Sequence, residues 1–321
     1  MIQIKILSVV ASATALAGLT ACGAGSGSAS ADDFPSKRMS IVVPYPAGGG
    51  LDIAARALAP CLEKELGQNV IVENKDGGSG AVGTTDVLGK PADGLTLEMI
   101  LTSAAVVTPL TEQVGYSLSD LQPVGQVAAF PYVIVVTGDS PYKSLEELLA
   151  SDKGLKAASP GAASQGGLEL EAIKEAGAPI TLVPFDGTAG VKTALLGGDV
   201  DFGTAVADED LLKQHKAGTL RILGVTSAKR ADYLPDVPAI NEIPGYEELG
   251  AGTSYFGLVV RSGTPDKIIS TLDNTLKTCI GKAEVKELIG TQFVSETYVD
   301  GSALQMAFEE QSKAYSAVVG K

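Results

Sequence analysis

Residues 40–56 read SIVVPYPAGGGLDIAAR, and the order of residue types in this stretch decides the fold class. Ile41, Val42 and Val43 form a short apolar run suited to a buried strand. Pro44 and Pro46 then stop it, because proline cannot donate to a ladder. Three glycines follow, Gly48 to Gly50, and a helical run opens at Leu51 with Ala54, Ala55, Leu58, Leu62 and Leu66 at helical spacing. A strand, a glycine turn and a helix N-terminus in succession make a general anion site. The first N–H groups of the helix have no partner within it, the dipole end is positive, and glycine lets a ligand approach the backbone. An ordinary βα turn has the same make-up, so spacing alone leaves both readings open.

The pattern repeats outward from there. Strand-like runs at Val70–Glu73, Leu95–Ile100, Val124–Ala128, Tyr132–Val136, Lys156–Ala158, Thr181–Val183, Val200–Gly203, Arg221–Val225 and Phe256–Val260 alternate with helical stretches. Helices are expected at Ala81–Gly89, Ser164–Glu175, Thr188–Leu196, Asp208–Ala217, Pro265–Gly281, Ala283–Leu288 and Ala303–Val318. Ser144 and Glu147 have capping-box spacing at the start of another. Such alternation predicts an α/β protein with largely parallel sheets, on which ligands sit at the carboxyl ends of strands. With 321 residues the chain has room for about two domains. The glycine- and serine-bearing turns at 46–52 and 159–167 are far apart in sequence. If they belong to two facing sheets, the cleft between them is the site.

The net charge is −14, so nucleic acid is excluded as a partner, since it needs a basic footprint. It also means that an anionic ligand must be held by local dipoles rather than by the field of the whole chain. Residues 1–21 carry Lys5 and then an apolar run too short for a comfortable membrane span, ending Leu19-Thr20-Ala21-Cys22. This resembles a bacterial lipoprotein signal, with cleavage before Cys22 and lipid attached to it. Residues 22–33 are Gly, Ser and Ala rich and read as a flexible linker. Two cysteines remain. In an exported chain an even remainder predicts one disulfide, Cys61–Cys279, two buried thiols being the alternative.

Gly78-Ser79-Gly80-Ala81-Val82-Gly83 spells the dinucleotide-binding pattern G-x-G-x-x-G. Glu98 follows Gly83 too closely to be the acidic ribose partner, so a tight turn lining the cleft is the better reading. His215 is the one histidine, on a polar helical stretch beside Lys213 and Lys216. Nothing supplies it with a nucleophile, and there is no His/Cys cluster. The expectation is therefore no enzyme, no catalytic residue, no metal and no cofactor.

Three blocks, FPSKRMSIVVPYPAGGGLDIAAR, VIVENKDGGSGAVGTTDV and PADGLTLEM, resemble the substrate-binding proteins of tripartite tricarboxylate transporters, the Bug family. The resemblance continues through SPGAASQGGLELEAIKEAG, VPFDGTAGVKTALLGGDVDFG and GTLRILGVTSAKRADYLPDVPAINE, and it spans the chain from Phe34 to the end. It implies a two-domain periplasmic-binding-protein-like flytrap, each domain a mainly parallel sheet flanked by helices, with the ligand cleft between. One domain would comprise residues 34–133 and 254–321, the other 134–253. The two turns would grip one carboxylate, largely through backbone N–H groups and water. Carried over, the ligand-binding positions are Tyr45, Ala47, Gly48, Gly49 and Asp52 from the first turn, and Ser159, Ala163, Ser164 and Gln165 from the second. Thr102 and Ser103 would add hydroxyls from one side, and Gly187 and Thr188 further donors from the other.

Asp52 reads equally well as a ligand contact or as local structural support, the latter as a helix N-terminal charge or a partner for Arg56 at i+4. The chain departs from the family at three places. A usual histidine is missing after Ala163-Ser164-Gln165, Phe185-Asp186-Gly187 stands where Tyr-Lys-Gly is frequent, and Asp208, Glu209 and Asp210 add acids near a strand end. Asp186 and Asp208 facing the cleft would suit a ligand with an amine beside its carboxylate; as helix N-terminal charges they would face solvent. The implied function is an extracytoplasmic receptor, lipid-anchored to the cell membrane and acting as a monomer. It would deliver a small organic carboxylate (a di- or tricarboxylate, aromatic acid or amino acid) to membrane transporter subunits. The alternative is a ligand sensor for a membrane signalling partner.

Overall fold

The computed structural model describes residues 34–162, 164–185 and 187–320. The expected signal, linker and lipid site at Cys22, together with Ala163 and Asp186, lie outside the described residues. The strands are β1 (Met39–Val43), β2 (Val70–Asn74), β3 (Thr96–Leu101), β4 (Leu121–Thr137), β5 (Leu155–Ser159), β6 (Ile180–Pro184), β7 (Phe202–Val206), β8 (Leu220–Val225) and β9 (Thr253–Arg261). The helices are α1 (Gly50–Leu66), α2 (Ala81–Leu88), α3 (Thr108–Thr111), α4 (Leu145–Leu149), α5 (Gln165–Glu175), α6 (Gly187–Gly197), α7 (Glu209–Ala217), α8 (Asp266–Ile280), α9 (Ala283–Ile289) and α10 (Gly301–Val319).

One strand organises the sheets. The two short strands expected at Val124–Ala128 and Tyr132–Val136 are a single strand, β4. Its first part, Leu121–Pro131, pairs antiparallel with β9; from Tyr132 onward it pairs with β7 and β8 instead. The handover falls on Pro131, which has no N–H to give to either ladder. The amides on either side serve both sets of strands: Tyr132 N–H donates to Gly252 O and Ala207 N–H donates to Pro131 O. Outward from β4 the order is β9-β3-β1-β2 on one side and β7-β5-β6 on the other, with β8 also on β4. The outer strands pair parallel, as strand–helix alternation requires, whereas the strands crossing at the centre pair antiparallel.

Helices cover both faces. α1 and α8 pack over the first set through Leu58, Leu62, Leu272 and Leu276, among the residues of its largest core. Cys61 of α1 is bonded to Cys279 of α8, their Cα atoms 5.7 Å apart. α10 returns along β4 and buries Leu304, Phe308, Gln311 and Tyr315 on one stripe. The apolar residues Met306 and Val319 of the same helix are exposed. Ser144 caps α4 by accepting the Glu147 N–H, while the Glu147 carboxylate takes the Lys143 N–H.

The Cys61–Cys279 bond closes a loop of 218 residues, so it restricts the unfolded chain strongly. Replacing both cysteines by alanine is expected to cost about 2–4 kcal/mol in urea unfolding while leaving helix content unchanged. An unaltered midpoint would remove the bond from the account of stability.

Candidate functional site

The turn after β1 is built around Asp52. Its carboxylate is buried and accepts from the Gly48 N–H at 2.9 Å, the Arg56 guanidinium at 3.0 Å and the Asn74 amide at 3.0 Å. Asn74 also donates to Tyr45 O, so the end of β2 and the start of the turn are fixed to one point. The Arg56 guanidinium, helped by the Gly48 and Asn74 donors, holds the Asp52 carboxyl below the usual carboxylate range. Of the two readings of Asp52 the geometry favours the local one: both oxygens are occupied by protein donors, and the side chain shapes the turn. Gly48 takes φ +84°, which an L side chain would resist. Gly49 caps α1 without a side-chain bond, and the first intrahelical link is Ile53 N–H to Gly49 O. Tyr45, half-buried, donates its hydroxyl to Ser79 O in the Gly78-Ser79-Gly80 turn, which places that motif beside the first turn.

The turn after β5 is built on close backbone contacts. Ser164 caps α5: its hydroxyl accepts the Gly167 N–H at 3.0 Å and donates to Gly161 O at 2.6 Å. The buried Ser159 hydroxyl also donates to Gly161 O. A Cβ on Gly167 would fall 2.5 Å from Gly161 O, so this fold of the turn requires glycine there. Gly187 and the half-buried Thr188 open α6.

Both turns rest on the same part of the crossing strands. A Cβ on Gly50 would lie 3.7 Å from the Phe256 ring, and Phe256 packs on Phe130 with centroids 4.5 Å apart. A Cβ on Gly166 would lie 2.9 Å from the Tyr132 ring, two residues along β4 from Phe130. Two helix N-termini thus bear on the handover in β4, one from each set of strands. Such termini can bind a carboxylate through N–H groups without a cationic side chain.

Three expected contacts have other duties. Thr102 is fully buried; it accepts the Tyr255 N–H and donates to Gln311 Oε1. Gln165 is fully buried too, and its amide donates to Thr253 O and Tyr315 Oη, both at 2.9 Å. Neither side chain is open to a ligand, which corrects the expectation for both. Asp208 caps α7 by accepting the Leu211 N–H, so its charge is used by its own helix. Ser103, next to Thr102, is half-buried and begins a turn of π-helix, Ser103–Val107, running into α3. Here the sequence suggested only the stop of a strand. His215 is half-buried rather than a surface group; its Nδ1 accepts the Ile222 N–H, and burial pushes its pKa down.

Two buried acids escaped sequence reasoning as structural elements. Glu98, on β3, accepts the Thr84 hydroxyl at 2.7 Å and has no partner for its second oxygen. Burial pushes it up to about 8. Its place among apolar neighbours in LTLEMIL was the available signal. Glu169, on α5, meets the Tyr315 hydroxyl and is likewise pushed by burial to about 8.

A groove of 1520 Å³ lies against α5, α10 and the 227–251 segment, lined by Glu169, Tyr315, Gln311, Ala251 and Tyr255 among others. It contains no residue of either turn, and carboxylates outnumber cations along it. Its size notwithstanding, it is the wrong environment for an anion, and the helix N-termini are the better candidate site. Among the described residues no cluster of His, Cys, Asp and Glu could hold a metal ion, and no helix is long and apolar enough to cross a membrane.

Residues 54–321 match the family model described as tripartite tricarboxylate transporter family receptor. The chain belongs to that receptor family. Protein BugT of Bordetella pertussis is 32% identical over 300 residues, covering 90% of this chain and 88% of the relative. A TctC solute-binding protein from Polaromonas has the same fold, with a TM-score of 0.77, 28% identity and coverage of 89% of this chain and 99% of that one. An R. palustris protein solved with adipate gives 0.73 and 28%, covering 90% and 99%. The α/β fold is therefore that of the family's periplasmic solute-binding proteins, and family membership makes this chain a receptor for small solutes.

Two outcomes test this geometry. Asp52→Ala should cost about 1–3 kcal/mol by stranding the donors it satisfies, read from urea unfolding; no loss would mean that the turn holds itself. Glu98 and Glu169 keep protons in the folded state that the unfolded chain releases above about 4.5. Stability gained from these protons is complete below that value and declines as pH rises towards about 8. Glu98→Gln should flatten the fall of melting temperature across this window, and an unchanged slope would contradict a protonated Glu98.

Proposed function

We propose that this receptor captures a small organic carboxylate between the N-termini of α1 and α5 and delivers it to a tripartite tricarboxylate-type membrane transporter. The supporting observation is the pair of glycine-bearing turns, one on each set of strands, whose helices start beside Phe256 and Tyr132 at the β4 handover. Ser103, Gly187 and Thr188 stand at the ends of neighbouring strands or starts of helices and would complete the grip. Asp52 and Gln165 would take part through backbone and positioning, not through their side-chain polar atoms. Residues 34–133 with 254–321 would form one domain and 134–253 the other. They would close by bending where β4 and β9 cross, a movement driven by the ligand's preference for the closed state.

A dicarboxylate is the favoured class. The R. palustris neighbour was solved with adipate, and two facing helix termini offer two places of positive potential. An amino acid is less favoured because Asp208 is already occupied as the cap of α7. The receptor would act outside the cytoplasm as a monomer, held to the membrane through lipid on Cys22.

A thermal-shift screen of the purified chain against dicarboxylates, tricarboxylates, aromatic acids and amino acids tests this reading. Binding to the folded state alone raises the melting temperature, by about 2.7 kcal/mol of stabilisation at a hundredfold excess over Kd. Dicarboxylates should give the largest rise. Ser164→Ala should lower affinity about fivefold to tenfold, as loss of a cap worth about 1 kcal/mol loosens the turn, while the protein stays folded. A rise with amines alone, or full affinity in Ser164→Ala, would contradict the assignment.

A further inference from the structure

Thr102 and Gln165, from turns on opposite sets of strands, end on the same helix. Thr102 donates to Gln311 Oε1 at 3.1 Å; Gln311 donates to Ala251 O and Thr253 O at 2.8 and 2.6 Å. Gln165 donates to that same Thr253 O and to Tyr315 Oη. The chain Thr102–Gln311–Thr253–Gln165–Tyr315–Glu169 is continuous; its five side chains are buried, Thr253 contributes its carbonyl, and α10 supplies Gln311 and Tyr315.

Donor counting fixes where one proton must lie. A tyrosine hydroxyl has one hydrogen and two lone pairs. Tyr315 Oη lies 2.7 Å from Glu169 Oε1 and 2.9 Å from Ala251 O, and it accepts from Gln165. Were Glu169 ionised, Tyr315 would give its one hydrogen to the carboxylate, and the 2.9 Å contact of Oη with Ala251 O, an oxygen that Gln311 already serves, would bring two oxygens together with no hydrogen between them. A neutral Glu169 donates to Tyr315 Oη, which then donates to Ala251 O, and every contact has a hydrogen. We infer that Glu169 holds a proton that completes this network, and that Gln311 and Tyr315 are positioning residues through which α10 sets the turn after β3, with Ser103, relative to the turn that opens α5. The link to ligand capture rests on the receptor reading above.

Burial is the largest influence and favours the neutral acid; the Tyr315 hydrogen bond acts the other way and is outweighed, and Tyr132 of β4 is the other titratable group coupled to Glu169. Glu175 and Glu310 line the same groove, and negative charge there favours the neutral form; Lys229 and Arg230 line it too and act the other way, the latter paired with Glu242. Glu169 and Tyr315 both line the groove, which gives the proton a route to solvent. Loss of the proton would place a charge against Tyr315 and Ala251 O and loosen the Gln165 end. Ligand affinity would then fall as pH rises through the titration of Glu169.

The test is a pH titration of the full chain by amide NMR, following Ser103 and Ser164, with adipate as the probe ligand. Wild type, Tyr315→Phe, Glu169→Gln and Glu169→Leu are compared. In wild type both amides should shift together with one midpoint near 8, and adipate should bind about tenfold more weakly above it. Glu169→Gln keeps an uncharged donor and should bind adipate at every pH as wild type does at low pH. Glu169→Leu should move both amides and weaken binding without a titration, and Tyr315→Phe should move both amides and weaken binding already at low pH. Independent titration of the two turns, a persisting midpoint in Glu169→Gln, or shifts confined to α5 in Tyr315→Phe would overturn the inference. Joint titration of the turns without adipate binding at any pH would support the network and count against the dicarboxylate reading alone.

Discussion

β4 belongs to two sets of strands at once, and the rest of the structure depends on that sharing. Leu121–Pro131 completes one ladder and Tyr132–Thr137 another, so the two halves cannot separate without breaking the strand that both require. The proposed closure would bend at the handover, where Pro131 has no N–H and the Tyr132 and Ala207 amides link the two sets of strands. The Phe130–Phe256 contact and the Tyr132 ring at this point carry the glycine turns of α1 and α5. The handover and a pair of helix N-termini are thereby built into the same few residues.

In the proposed reading this arrangement answers a problem of charge. A chain of −14 repels a carboxylate at long range, so attraction would come from fixed dipoles at short range. Helix termini would supply it without a lysine or arginine that would need its own counter-ion. The acids near the turns are correspondingly occupied: Asp52 by Gly48, Arg56 and Asn74, and Asp208 by the first turn of α7. Behind the turns the polar groups are neutral or nearly so. Thr102, Gln311, Gln165 and Tyr315 make bonds that a buried charge would disrupt, and Glu169 fits among them as a carboxylic acid.

Much of this was legible in the sequence, and the parts that were not share a cause. Strand–glycine–helix order marked both turns, and β-branched runs marked the strands, because these follow from local sterics. The single length of β4 was hidden by Pro131, which locally reads as a break; only the change of partner makes a proline acceptable there. The stripe of α10 is hard to read locally for a similar reason. Leu304, Phe308, Gln311 and Tyr315 keep helical spacing, but the stripe turns polar halfway, where the helix leaves the core and meets the crossing strands. Thr102 and Gln165 have the residue types of ligand donors. Their partners lie 209 and 150 residues away, and no local pattern announces contacts at that range.

A crystal structure grown with the carboxylate that most raises the melting temperature tests the central claim most directly. The account predicts carboxylate oxygens about 2.7–3.2 Å from amide nitrogens in the first turns of both α1 and α5, with Asp52 still bound to Gly48 and Arg56. A carboxylate seated in the groove beside Glu169, or held by lysine or arginine side chains away from both turns, would contradict it.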